Sequence, residues 1–308
     1  MGYGTRDKTV LKQSLKGKVY FLAKTYDKDV GELRSEVCAS NIGRLFGFPV
    51  QQSWLCHIPQ HSALGLRHSI GVLIQLDVRR QRYTKRGQFR EDLIHGADLI
   101  SIVDKKFARV KSLKEKRTVY TLMSAVAAIR KYVGLHPDAH VVWDQFFELL
   151  AFDALIGGTD RHYYNWGVLQ NADTTKFIRL APAFDNGVSL LWKLEEYGPQ
   201  FLSNPWTHEF AARAKTMLKK DGGGKYTLHG VLEALYQMGD YEGSTIAGDI
   251  LARLHAVNPE RIASTILKNV PQSAEFKTGE KELKVVSSYA MDRLELLKGV
   301  LMKISKTP

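Results

Sequence analysis

The chain has 308 residues, of which 44% are hydrophobic and 25% charged, a composition ordinary for a soluble folded protein and long enough for one large domain or two lobes sharing a cleft. No apolar run approaches the roughly 20 residues that span a bilayer, and the polar N-terminus lacks the apolar segment of a signal peptide. The expected location is therefore cytoplasmic, with a secreted effector left open. The 44 basic side chains exceed the 32 acidic ones to give a net charge of +12, which favours an anionic partner without choosing among nucleotide, nucleic acid, acidic membrane and acidic protein.

Residues 1–8 contain Gly2, Gly4, Thr5 and Lys8. The glycines permit close backbone approach, and successive N–H groups there are able to cradle phosphates. A frayed terminus is the competing reading. Residues 9–13 read as a strand, Lys16-Gly17 as a turn, and residues 19–24 alternate like a half-buried strand ending at Lys24. Apolar positions 33, 37, 42 and 45 predict a helix over 31–46, which carries Glu36, with Glu32 as its competitor on the same face. A strand lysine held by a helix glutamate is how kinases place an ammonium over nucleotide phosphates. Cys38 falls within this helix as a small core residue. Cys56-His57 has no metal-binding partners nearby, and two cysteines make no disulfide framework, so a reducing compartment is expected.

Residues 49–57 and 70–76 read as further strands. The second is almost wholly apolar and runs into Asp77. Residues 79–90 hold six basic side chains with Tyr83 and Phe89 between them, compatible with nucleic-acid backbone or acidic lipid and equally with a solvated loop. From residue 91 the chain is expected to turn helical, most clearly over 119–133 and 142–156. The second of these helices carries Trp143, Phe146, Phe147, Leu150, Phe152 and Leu155 together with an internal Asp153. Asp153 either bonds the following loop or faces solvent.

That helix ends at Gly157-Gly158. A polar loop follows with Asp160 and Asn165 five residues apart. Two short strands over 166–170 and 177–182 flank a turn, and Asp185 comes directly after the second. Such a hairpin returns Asp185 to the neighbourhood of Asn165. The result is one carboxylate free to act and an amide–carboxylate pair able to hold a hard cation. Residues 188–207 read as irregular and aromatic. Asp221-Gly222-Gly223-Gly224-Lys225 mimics a phosphate-binding loop but lacks the following Ser or Thr and a preceding strand, so it is a turn. Helices are expected over 228–238, 244–257, 259–270 and 281–304. There is no internal repeat.

Thr-Asp-Arg-His-Tyr-Tyr-Asn-Trp-Gly at 159–167 and Ala-Pro-Ala-Phe-Asp at 181–185 resemble the HipA-like kinases, in particular their short toxin- or effector-type members. Type II phosphatidylinositol 4-kinases carry a related loop. His-Arg-Asp and Asp-Phe-Gly, the wording of ordinary protein kinases, are absent. The resemblance implies an α+β, two-lobed protein-kinase-like fold, with a small mixed N-lobe over 1–77 and a mainly helical C-lobe over 78–308. It implies ATP and Mg2+ as cofactors. Asp160 would position or deprotonate the acceptor hydroxyl, Asn165 and Asp185 would bind the metal, and Lys24 held by Glu36 would meet the phosphates. Gly2, Gly4, Thr5 and Lys8 would form the phosphate loop, and Gln75 to Val78, including Asp77, the hinge on adenine. Arg161 is a candidate for stabilising transferred charge, and His162 for contacting phosphate or substrate or for bracing the loop.

The expected activity is phosphorylation of a Ser or Thr hydroxyl on a protein. A cognate antitoxin or N-terminal partner subunit fits the family, whose first strand has no counterpart ahead of residue 2. A lipid kinase, and a kinase-shaped module that binds nucleic acid or an acidic partner without catalysis, are the alternatives.

Overall fold

The computed structural model describes residues 8–12, 20–25, 30–57, 70–76, 82–84, 87–89, 91–135, 141–171, 177–203, 206–238, 243–268 and 279–306. Four antiparallel strands, β1 (Lys8–Lys12), β2 (Tyr20–Thr25), β3 (Ser53–His57) and β4 (Ile70–Leu76), form a sheet in the order β1-β2-β4-β3. Lys24 lies on the inner strand β2, between Lys8 of β1 and Val72 of β4. Helix α1 (Val30–Leu45) packs against β3 and β4. Residues 31–40 are buried without interruption, because the helix is covered by the sheet on one side and by the helical body on the other. Its polar residues Glu32, Arg34, Ser35, Glu36 and Ser40 are therefore buried too, and buried polar groups need partners. Those partners define the site below.

The chain departs from the expected helix at residue 91. Glu91–His95 is a strand, β7, after a small hairpin of β5 (Arg82–Thr84) and β6 (Gly87–Phe89) within the basic stretch. It pairs antiparallel with β8 (Gly167–Asn171), which pairs in turn with β9 (Phe177–Leu180). The anticipated hairpin is thus two strands of a three-stranded sheet. A five-residue segment whose partner lies more than seventy positions away carries too weak a local pattern to declare itself. Helix α2 (Gly96–Val103) then begins, and Gly96 N–H and Ala97 N–H donate to Trp166 O and Tyr163 O at 2.9 and 2.8 Å. Gly96 lies so close to the Trp166 ring that any β-carbon would collide with it.

Short helices α3 (Lys105–Arg109) and α4 (Leu113–Val119) lead to α5 (Leu122–Leu135) and α6 (Val141–Ile156). Phe146, Phe147, Phe152 and Leu155 of α6 are all buried, as its run of large apolar residues requires. The helix stops at Gly157, whose φ of +68° is the left-handed C-terminal turn that glycine makes without strain. The chain after Asp185 is more ordered than expected, with α7 (Gly198–Ser203) and α8 (Thr207–Arg213). The glycine run at 222–224 is, as expected, a turn, with positive φ, but contrary to expectation a strand precedes it: it joins β10 (Lys215–Lys219) to β11 (Lys225–Thr227) in a hairpin. Helices α9 (Gly230–Gln237), α10 (Gly243–Ala256), α11 (Glu260–Lys268) and α12 (Glu280–Ser305) complete the body, with α12 packed on α6, α8 and α10. Cys38 is fully buried in the core. Among the described residues no helix is long and apolar enough to cross a membrane.

Candidate active site

Arg161 holds the two site segments together. Its Nε and Nη2 donate to Asp153 of α6 at 2.7 to 3.2 Å. Its Nη1 donates to Asn165 O at 2.9 Å and to Phe184 O at 2.6 Å, and Nη2 also reaches Asn186 Oδ1 at 2.8 Å. One buried guanidinium thus ties the loop of Asp160 and Asn165 to the segment of Asp185. Burial alone would weaken the guanidinium's hold on its proton, but the Asp153 carboxylate outweighs it and the pKa is raised. Five N–H donors committed to structural acceptors leave Arg161 4% exposed, so it braces the site and does not reach transferred charge. Asp153, whose role had two readings, bonds the loop through this side chain.

The loop supplies Asp160 and Asn165. Asn165 Nδ2 donates to Asp160 O at 2.9 Å, which leaves the amide oxygen as the acceptor end of the side chain. The Asp160 carboxylate lies 3.9 Å from His162 Nε2 and 3.9 Å from Arg117 Nη2. Burial raises its pKa, opposed by His162 and Arg117. Burial lowers that of His162 against the pull of Asp160. His162 Nδ1 accepts from Tyr164 N–H at 3.1 Å, so this imidazole braces the loop.

The third segment is fixed from the sheet side. Ala183 forms a parallel bridge with Val50, its N–H donating to Pro49 O at 2.8 Å and its C=O accepting from Gln51 N–H at 3.0 Å. Two residues on, Asp185 has φ +57°, a left-handed conformation that Asp tolerates but that marks a constrained position. Its Oδ1 accepts a hydrogen bond from Lys24 Nζ of β2. Glu36 Oε2 lies 4.0 Å from the same ammonium. Glu36 Oε1 accepts from Asn186 N–H at 3.1 Å, whereas Oε2 is buried with no hydrogen-bond partner among the described residues. Burial raises the Glu36 pKa, with Lys24 opposing.

Helix α1 grips the chain beyond Asp185. Ser35 Oγ donates to Ser189 O at 2.8 Å and Arg34 Nη2 to Leu191 O at 3.1 Å. Gly31 rests on the Trp192 carbonyl so closely that no β-carbon fits.

The structure therefore brings together Lys24, Glu36, Asp160, Asn165 and Asp185. Gln75 does not join them as a backbone donor: its N–H donates to Gln52 O at 2.8 Å inside the sheet, so it is not free to meet an adenine edge. Lys8 pairs with Lys24 across β1 and β2. Gly2, Gly4, Thr5, Asp77 and Val78 lie outside the described residues. Sequence reasoning left open the Asp153–Arg161 pair, although an aspartate set in the apolar second half of the helix, residues 149–156, was its signal. It missed Asn186 and Arg117. Arg117 lies 43 positions before Asp160 and offers no local pattern.

A sheet lysine, a helix glutamate and three oxygen-bearing side chains on two loops, between a small sheet and a helical body, define a protein of the kinase-like class with a two-lobed α+β fold. The chain belongs to the HipA-like C-terminal domain family, whose model matches residues 2–220. Among solved structures it is similar to the Helicobacter pylori proinflammatory kinase CtkA, at 20% identity and a TM-score of 0.67 over 97% of this chain and 95% of that one. It is also similar to HipA of Shewanella oneidensis MR-1, solved with HipB and its operator DNA as a toxin–antitoxin system, at 12% identity and a TM-score of 0.55 over 99% of this chain and 67% of that one. No curated protein matches the chain in sequence.

Proposed function

We propose that the protein is an ATP-dependent, magnesium-requiring protein serine/threonine kinase of toxin or effector type. Nucleotide binds between an N-lobe ending near residue 77 and the helical C-lobe. The observation that carries this reading is the unequal sharing of Lys24. Its ammonium bonds Asp185, while 4.0 Å away a buried oxygen of Glu36 has no hydrogen-bond partner among the described residues. A buried carboxylate oxygen that has a distant ion pair but no hydrogen bond is costly. It is accounted for if a cation takes over Asp185 in the working state and Lys24 turns to Glu36 and the nucleotide phosphates.

The donor set fits magnesium, a hard ion that takes carboxylate and amide oxygens and usually keeps waters and phosphate oxygens as its other ligands. Asp185 and the Asn165 amide oxygen would hold it. Bound there, it would neutralise charge on the transferring phosphate. Asp160 accepts the proton of the attacking hydroxyl, and its raised pKa brings it nearer to a useful base strength. Lys24 offsets phosphate charge, with Glu36 fixing its position. Arg161 keeps the two loops at a constant separation, which in-line transfer needs. The Shewanella HipA–HipB–DNA complex supports an antitoxin or N-terminal partner as part of the same proposal. The lipid-kinase alternative is not taken up, because the matching family is HipA-like.

Incubating purified protein with magnesium and γ-labelled ATP tests this reading. Label is expected on the protein itself or on a protein substrate, and Asp160→Ala should remove it while the far-UV circular dichroism is unchanged. Label confined to phosphoinositide vesicles, or no label together with salt-sensitive RNA binding, contradicts it.

A further inference from the structure

Residues 105–117, which form α3, α4 and the turn between them, hold seven Lys or Arg residues and one acidic residue, Glu115. A basic run is usually no more than a solvated face. Three observations set this one apart.

First, it rests on the catalytic loop. Tyr163 OH donates to Leu113 O at 3.1 Å, the Tyr163 and Phe107 rings meet edge to face at 5.1 Å, and Arg117 lies 3.9 Å from Asp160. Second, its charge is not neutralised internally. Lys105, Lys106, Arg109, Lys111 and Lys114 are exposed, and none has a carboxylate partner among the described residues. Unpaired lysines occur elsewhere on the described surface too, but here five such cations fall within ten residues beside the Asp160 loop. Third, the apolar side chains exposed on or beside this face are aliphatic, Ile102 at 65% and Leu113 at 56%, while its one aromatic residue, Phe107, is fully buried. Single-stranded nucleic acid is held by exposed aromatic rings as well as by charge, and no ring is offered here. Aliphatic contacts among unpaired cations suit a polypeptide with acidic side chains.

Resting on the kinase reading, we propose that the α3–α4 face docks an acidic segment of the protein substrate and delivers the adjoining Ser or Thr to Asp160. Arg117, between the face and the carboxylate, is the positioning residue for the acid nearest the acceptor.

The test compares a serine peptide flanked by Asp and Glu with the same peptide flanked by Asn and Gln. For the wild-type chain, kcat/KM should favour the acidic peptide about tenfold, mainly through KM, and the ratio should shrink as salt rises. In the exposed-site variant Lys105→Glu/Lys106→Glu/Arg109→Glu/Lys114→Glu the ratio should fall to one or below. The neutralising Lys-to-Gln and Arg-to-Gln version, less demanding on folding, should fall between. Fluorescence anisotropy of the labelled acidic peptide, without ATP, reads docking independently of catalysis. A protein that binds this peptide through these residues but transfers no phosphate keeps the docking face and loses the kinase reading. A kinase that labels both peptides equally, or whose preference survives charge reversal, overturns the docking face alone. Binding of a stem-loop RNA or phosphatidylserine vesicles that is lost in the variant, with no peptide preference, also overturns it.

Discussion

Lys24 stands between two carboxylates at unequal distance, bonded to Asp185 and 4.0 Å from Glu36, and each residue of that trio makes a separable contribution. Lys24→Met should lower kcat/KM at least a hundredfold by removing the phosphate contact. Glu36→Gln should cost less, because the amide still accepts from Asn186 N–H and loses only its hold on the ammonium. Steady-state kinetics with γ-labelled ATP would order the two. Asp160 adds a pH dependence. Burial holds its carboxyl above the ordinary 3.8, and Arg117 works against that rise. If Asp160 is the base proposed above, its ionised form is the active one, and activity should fall as pH drops through the raised pKa, higher than for an ordinary aspartate. Arg117→Gln removes the opposing charge and should move this acidic limb further toward neutral pH, which a kcat/KM profile would show.

At the scale of elements, α1 and α6 carry the site from opposite sides. Gly31→Ala on α1 would drive a β-carbon into the Trp192 carbonyl. It should loosen the grip on the segment after Asp185 and reduce activity more than helix content. On α6, Asp153→Ala leaves the Arg161 guanidinium buried and unpaired. Breaking a buried pair from one side costs about 3–5 kcal/mol, a loss that urea denaturation would measure. Farther off, His229 at the start of α9 has its pKa pushed down to about 3 by burial, with Arg293 adding to the effect, from an ordinary 6.5. Between those values the unfolded chain binds the extra proton and the fold does not. Stability should thus fall as pH drops below 6.5, by at most about 1.4 kcal/mol per pH unit. His229→Gln should flatten that dependence in melts taken at about pH 7 and pH 5.

Taken as a whole molecule, what was legible in the sequence was short in range. Asp160, Asn165 and Asp185 sit on one loop–hairpin unit whose spacing brings them near each other, and Lys24 and Glu36 end a strand and enter a helix with ordinary local patterns. The late helices likewise declared themselves by apolar spacing. What stayed hidden depended on distant partners. Strand β7 exists because β8 accepts it, and residues 91–95 alone do not alternate clearly enough to say so. Helix α1 is buried on all sides over residues 31–40, so its polar residues Arg34 and Ser35 look like a solvent face until Leu191 and Ser189 are seen to receive them. Arg161 read from the sequence as a candidate for stabilising transferred charge. Only the fold shows its donors committed to Asp153, Asn165, Phe184 and Asn186.

The claim that unites these scales is that a lysine from the sheet and oxygens from two helical-body loops form one metal–nucleotide site. Isothermal titration of ATP with and without magnesium measures this most directly. The account predicts that magnesium tightens ATP binding to the wild-type chain, that Asp185→Asn removes most of the magnesium effect, and that Lys24→Met weakens binding under both conditions. Binding that is equally tight without magnesium and indifferent to both substitutions would contradict it.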